Sequence, residues 1–188
     1  MIATDDLDTA QVLEIARDYA AEHGIEDVIV ASTSGETGAA AAATVDAEAH
    51  NLVVVGHATG YQEPNEQQLR PASRDQIEQA GGTVFVGPMV FSNVGTAIQD
   101  KDGFSAHELV ADVLRLFGQG SKVALECVLM ACDAGHGPAG EQVLAGAGTG
   151  DGADTVLAIQ SANSRALFEA RVLDVVAKPT EPENLIYW

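Results

Sequence analysis

Three short runs, Val28-Ile29-Val30, Leu52-Val53-Val54-Val55 and Thr83-Val84-Phe85-Val86, carry no charged side chain at either alternate position. A strand wetted on one face alternates apolar and polar residues, whereas a strand covered on both faces reads as a continuous β-branched run. These runs therefore demand layers of helix above and below them. The intervening segments meet that demand. Asp8 and Gln11 have the spacing of a capping box, Leu7 is placed to staple onto Val12, and Val12, Leu13, Ala16, Tyr19 and Ala20 form one helical stripe that Gly24 ends. The alanine tract from Ala39 to Ala43 suits a helix lying close to a sheet, and a short helix is predicted near Ser73 to Ala80. Such alternation predicts a single α/β domain over residues 1–188, a three-layer sandwich with a mainly parallel sheet.

The second half of the chain is less regular. The segment Gly87 to Gly103 reads as a long irregular stretch in which Met89, Val90 and Phe91 cover either a ligand or the core. Ser105 and Glu108 have capping-box spacing, with Phe104 set to staple Leu109 and Gly118 to close the helix. Lys122 to Asp133 is apolar nearly throughout; its length and its Ala, Leu, Met and Glu content favour a buried helix over a strand, with Gly135 as its cap. Strands are expected at Gln142 to Ala145, Thr155 to Gln160 and Arg171 to Ala177, with antiparallel pairing at the sheet's end. Cys127 and Cys132 fall on different helix faces at a spacing that suits neither zinc nor a redox pair, and are expected to be buried thiols.

Acidic residues number 28 against 9 basic ones, a formal charge of -19, and the acids are spread from Asp5 to Glu183. At about 1 M salt the Debye length is roughly 3 Å, which screens repulsion between surface carboxylates. The composition thus points to a halophilic cytoplasm ahead of a basic partner. It speaks against nucleic-acid binding, since there is no Lys/Arg stripe to displace counterions from phosphates. Met1-Ile2-Ala3-Thr4-Asp5-Asp6 lacks the features of a secretory signal, and the chain holds no apolar run of about 18 residues, so no membrane span is expected.

Ligands of open parallel sheets bind beyond the carboxyl ends of the strands, here the segments starting at Ser32, His57, Gly87 and Ser161. Ser32-Thr33-Ser34-Gly35-Glu36-Thr37-Gly38 combines hydroxyls and glycines with a following helix amino terminus, the ingredients of a phosphate cradle. With no lysine or arginine in the segment, a phosphate there relies on backbone donors and on Thr33, Ser34 and Thr37. Equally, Thr33 and Glu36 could be a plain capping box. His57-Ala58-Thr59-Gly60 follows the second strand, so His57 and Thr59 could face the same ligand, although a lone histidine is more often structural. Glu126 sits in an apolar segment and must be paired, ligand-bound, protonated or at a solvent edge. Asp133, seven residues on, shares its helical face and could cap the turn at Gly135. His23, His50, His107 and His136 give no metal-ligand spacing. Gly148-Thr149-Gly150-Asp151-Gly152-Ala153 matches a loose dinucleotide pattern, but a strand follows it where a helix is needed, leaving a glycine turn that could touch a ligand.

The order of these segments resembles the stand-alone archaeal proteins related to the carboxyl-terminal α/β domain of pyruvate kinase. The resemblance is carried by Val28 to Thr37, His57-Ala58-Thr59-Gly60-Tyr61, Leu116 to Gly120 with Glu126, Met130 to Gly135, and Gly152-Ala153-Asp154-Thr155. It implies a flavin mononucleotide (FMN) binder with the phosphate at Thr33, Ser34, Gly35 and Thr37. The ribityl chain is then expected near His57, Thr59 and Glu126, and the ring under the Met89 to Phe91 loop. Because the catalytic barrel of pyruvate kinase is absent, phosphoryl transfer from phosphoenolpyruvate is not implied. A flavin would permit redox chemistry; the alternative is a regulatory module sensing a phosphorylated metabolite without turnover. The apolar end Leu185-Ile186-Tyr187-Trp188 either seeks a second copy of the chain or packs on its own.

Overall fold

The computed structural model describes residues 1–46 and 49–185. In chain order the elements are β1 (Ile2–Ala3), α1 (Thr9–His23), β2 (Asp27–Ala31), α2 (Glu36–Thr44), β3 (Asn51–Gly56), α3 (Pro71–Gln79) and β4 (Thr83–Val86). There follow α4 (Val94–Asp102), α5 (Ala106–Arg115), α6 (Gln119–Asp133), β5 (Gln142–Ala147), β6 (Thr155–Gln160) and β7 (Arg171–Lys178). A six-residue 3-10 helix, Ser164–Glu169, joins β6 to β7.

The strands form one seven-stranded sheet in the order β1-β7-β6-β5-β2-β3-β4. β4, β3, β2 and β5 run parallel, and β6 reverses direction against both β5 and β7. Alternate residues feed two cores. Ile29, Val53, Val55, Val143, Ala145, Leu157 and Ile159 face one side with α6, whereas Val28, Val30, Leu52, Val54, Leu144, Val156 and Ala158 face the other with α1, α2 and Ile77 of α3. The expected three-layer α/β sandwich is therefore the fold, and its unbroken apolar strands are explained by cover on both faces.

Several predicted ends hold. Asp8 and Gln11 make the capping box in full, and Gly24 closes α1 in the left-handed region at φ 65°. The helix reading of Lys122 to Asp133 is right, and α6 is buried along most of its length because the sheet covers one side and α5 the other. Other ends differ. The stretch from Gly87 to Gly103 is irregular only as far as Asn93, after which α4 forms. Ser105 caps α5 from its hydroxyl, but Glu108 turns inward to accept from the Thr96 hydroxyl at 2.5 Å, so the box is not closed. Phe104 and Leu109 both stand exposed, so the expected staple buries neither side chain. Gly118 starts α6 and does not end α5. The segment Ile186-Tyr187-Trp188 lies outside the described residues.

Close approach of helix to sheet depends on two glycines. A Cβ on Gly38 would lie 2.5 Å from Val54 Cγ1 and 2.9 Å from Ile77 Cδ1, and one on Gly120 would lie 2.2 Å from Thr155 Oγ1. Alanine is worth about 1 kcal/mol more than glycine inside a free helix. In Gly38→Ala the clash should reverse that sign, lowering unfolding free energy by about 1–3 kcal/mol in denaturant titrations.

Candidate functional site

The chain proceeds outward from β2 through β3 to β4, then returns to place β5 on the other side of β2. The crevice where strand order reverses is where open α/β sheets hold their ligands. A cleft of about 620 Å³ occupies that position, a volume in the usual range for small-molecule sites. Its walls come from the ends of β2 and β3 (Ala31 to Ser34 and Val55 to His57), from α6, and from the Gly148 to Gly152 turn after β5.

At the β2 wall, Ser32 accepts the Gly38 amide at 3.0 Å and Ser34 accepts the Glu36 amide at 3.3 Å. Gly35 occupies the N-cap at φ 93° without a side-chain cap, and the Glu36 carboxylate pairs outward with Arg70 at 2.5 Å. The alternative of a Thr33 and Glu36 capping box is thereby set aside. Ser32, Thr33, Ser34 and Thr37 line the cleft. The amides of Thr33 and Thr37 have no intrachain acceptor among the described residues. Gly35 lies behind them, where a Cβ would meet Ser73 Cβ at 2.4 Å.

The opposite wall holds what the local sequence around Ser32 lacks, a cation. Lys122 and Glu126 are one helical turn apart on α6, each side chain 4% exposed, and form an ion pair. Glu126 Oε1 also accepts the amides of Phe91 at 2.7 Å and Ser92 at 3.3 Å, and the ammonium donates to Ser92 Oγ at 3.3 Å. Both residues line the cleft, as does Arg115, whose guanidinium is held by Gln119 and Asp112. Glu126 is therefore paired, one of the states its apolar surroundings allowed. Lys122 was missed in sequence, although its i,i+4 spacing to a glutamate in an apolar helix was the available signal.

His57 lines the cleft, half-buried, and Nδ1 lies 3.1 Å from Gln68 Oε1. Burial holds its pKa below the ordinary 6.5, with the Gln68 hydrogen bond opposing. Thr59 and Gly60 fall outside the lining; the Thr59 hydroxyl accepts from Gln67 at 3.1 Å. Phe91 is packed in the core beneath Glu126, and Met89 reaches the cleft instead. Ser161 lies at the other end of the sheet, because β6 runs antiparallel; its hydroxyl donates to the carbonyls of Pro138 and Glu141. Asp133 is likewise remote, accepting from the Ser164 amide and hydroxyl and from Asn163. Burial raises its pKa, but those hydrogen bonds prevail and hold it below the usual carboxylate range.

The glycine turn does reach the cleft, through Gly148, Gly150, Asp151 and Gly152. It is tight: a Cβ on Gly148 would lie 2.4 Å from the Gly152 carbonyl. Asp154 ties it by accepting the Thr149 amide at 2.7 Å and the Thr155 hydroxyl at 2.6 Å. Cys127 also lines the cleft, but burial pushes its thiol up to about 12, so it is no thiolate nucleophile near neutral pH. Among the described residues no cluster of His, Cys, Asp and Glu is arranged to hold a metal, and no helix is long and apolar enough to cross a membrane.

The fold and crevice define an open α/β protein with a polar cleft at its switch point. No family model matches the sequence. Among solved structures the chain is similar to O-ureido-L-serine synthase, at 18% identity and a TM-score of 0.33, over 68% of this chain and 39% of that one. It is also similar to an O-ureido-L-serine-bound mutant of that enzyme, at 20% identity and a TM-score of 0.31 with the same coverage. The chain thus spans about two fifths of the length of these neighbours, and likeness at this level carries no inference about activity.

Removing one member of a buried ion pair strands the other, at a cost of about 3–5 kcal/mol. Lys122→Met should lose stability on that scale, and adding Glu126→Gln, which keeps an acceptor for the Phe91 and Ser92 amides, should restore most of it in denaturant melts. His57 gives a second test. Its folded pKa lies below its unfolded one, so the unfolded state binds more protons and stability falls as pH drops below about 6.5. His57→Gln should show a shallower loss of stability between about pH 7 and 5.5 than the parent chain.

Proposed function

We propose that the cleft binds a phosphate-bearing small molecule, and that this ligand is FMN, held by a protein of a salt-rich cytoplasm. The observation that carries the reading is the facing of two anion-compatible walls across one crevice. The free amides and hydroxyls at the start of α2 stand on one side, with the buried Lys122 ammonium on the other. A helix amino terminus adds the positive end of its dipole to the first wall. The donor set suits FMN: Thr33, Ser34 and Thr37 would take the phosphate, His57 and the Lys122 and Glu126 pair the polyhydroxyl chain, and Met89, Val123 and Tyr61 the ring. A bound flavin would supply one- and two-electron transfer. The resemblance to stand-alone relatives of the pyruvate kinase α/β domain supports the same choice of ligand.

A second reading, sensing of a phosphorylated metabolite without turnover, draws on a different contact. Glu126 grips the Phe91 and Ser92 amides, so a ligand that engages Lys122 bears directly on the segment leading into α4. The visible absorption of protein purified in concentrated potassium chloride separates the two. The FMN reading expects a flavin band, with FMN released on denaturation; a colourless protein that takes up no added flavin but is stabilised by a sugar phosphate supports the second.

The phosphate wall has its own variant. Gly35 is unsuitable, since any side chain there strains a positive φ and strikes Ser73. Ser34→Asp places a carboxylate at the start of α2, which favours the helix dipole but repels a phosphate. It should leave the melting temperature unchanged or raised while weakening FMN or sugar-phosphate affinity about 10–100-fold, a loss of roughly 1.4–2.8 kcal/mol. Unchanged affinity would remove the phosphate from this wall.

A further inference from the structure

The α4 and α5 pair and its flanks carry seven exposed large apolar side chains. Leu109 and Val113 lie one turn apart on α5, Leu116 continues the i, i+4, i+7 spacing at its C-cap, and Phe104 precedes its N-cap. They are exposed by 53, 52, 79 and 62%, and Val94 and Ile98 of α4 and Phe117 at the far end of α5 are exposed as well. The inner face of α5 is fully used elsewhere: Ala111 is buried, and Val110 and Leu114 pack on the core that contains α6. The stripe is thus surplus to the fold of one chain.

We propose that this face is the interface of a homodimer, in which α5 pairs with α5 of a second copy about a two-fold axis. Area is the first argument. Taking about 150–200 Å² for a fully exposed large apolar side chain, the seven residues present on the order of 700 Å². Two copies would bury on the order of 1,400 Å², within the range of roughly 1,200–2,000 Å² for stable interfaces, and monomers seldom expose a patch above about 600 Å². Period is the second, because a narrow i, i+4, i+7 seam is matched by an identical seam on another helix. Concentrated salt screens the repulsion between two chains of formal charge -19 while leaving apolar burial intact.

Sedimentation equilibrium of the full chain in concentrated potassium chloride should give twice the chain mass. Leu109→Glu combined with Val113→Glu should give the monomer, with far-ultraviolet circular dichroism unchanged. In Val113→Cys, mild oxidation should link two chains through the new thiol, a readout that survives if the double variant fails to fold. A monomeric parent chain, a dimer that persists in the folded double variant but dissociates in Phe168→Glu, or a dimer lost on deleting residues 186–188 would each overturn the assignment. Cleft occupancy is read separately by ligand titration, so failure here leaves the phosphate site standing.

Discussion

Water is excluded from almost all of α6, yet that helix carries a lysine and a glutamate one turn apart. Either charge alone would cost several kcal/mol to bury, and the attraction between them offsets that cost only if the remaining donors and acceptors are also satisfied. Both carboxylate oxygens and two of the three ammonium donors are met, in part from a distant part of the chain: the Phe91 and Ser92 amides reach Glu126 and the Ser92 hydroxyl accepts from Lys122. The pair therefore does more than survive burial. It fixes the irregular segment after β4 against α6, and so sets the far wall of the cleft while keeping an ammonium at its surface.

The near wall depends on a different constraint, the closeness of α2 to the sheet. Gly38 lets the helix rest on Val54, and Gly35 lets the chain turn sharply past Ser73, so the amides of Thr33 and Thr37 remain at the mouth of the crevice. The Gly148 to Gly152 turn closes the third side because its own backbone doubles back to near contact. Reversal of strand order between β2 and β5 brings these three walls together. The three walls come from parts of the chain far apart in sequence.

That non-locality explains what could be read from the chain and what could not. Strands buried on both faces, the capped α1 and the alanine-rich α2 announce themselves within ten or fifteen residues, because period, caps and composition are local properties. The amide-rich turn at Ser32 to Thr37 was legible for the same reason. The spacing of Lys122 to Glu126 signalled their pairing, but its place in the cleft was not legible, since nothing near it in sequence shows that α6 faces the Ser32 turn across a crevice. Ser161 was expected among the ligand-side loops, but strand direction, which a short apolar run does not encode, decides at which end of the sheet a loop emerges. Phe104 and Leu109 have staple spacing, but spacing does not say whether anything covers them.

The surface charge and the cleft chemistry belong to one problem. Of only nine basic residues, two line the cleft, in a chain whose net field opposes any anion. At molar salt the field of the outer carboxylates decays within roughly 3 Å, so it neither repels a phosphate at a distance nor allows surface lysines to attract one. Under the proposed function, recognition at molar salt would rest on donors that salt does not reach. Backbone amides at a helix terminus and an ammonium 4% exposed are such donors, because their partners are met only after the ligand has shed bulk solvent. The same screening lowers the repulsion between two copies while leaving apolar burial at the exposed α5 stripe intact.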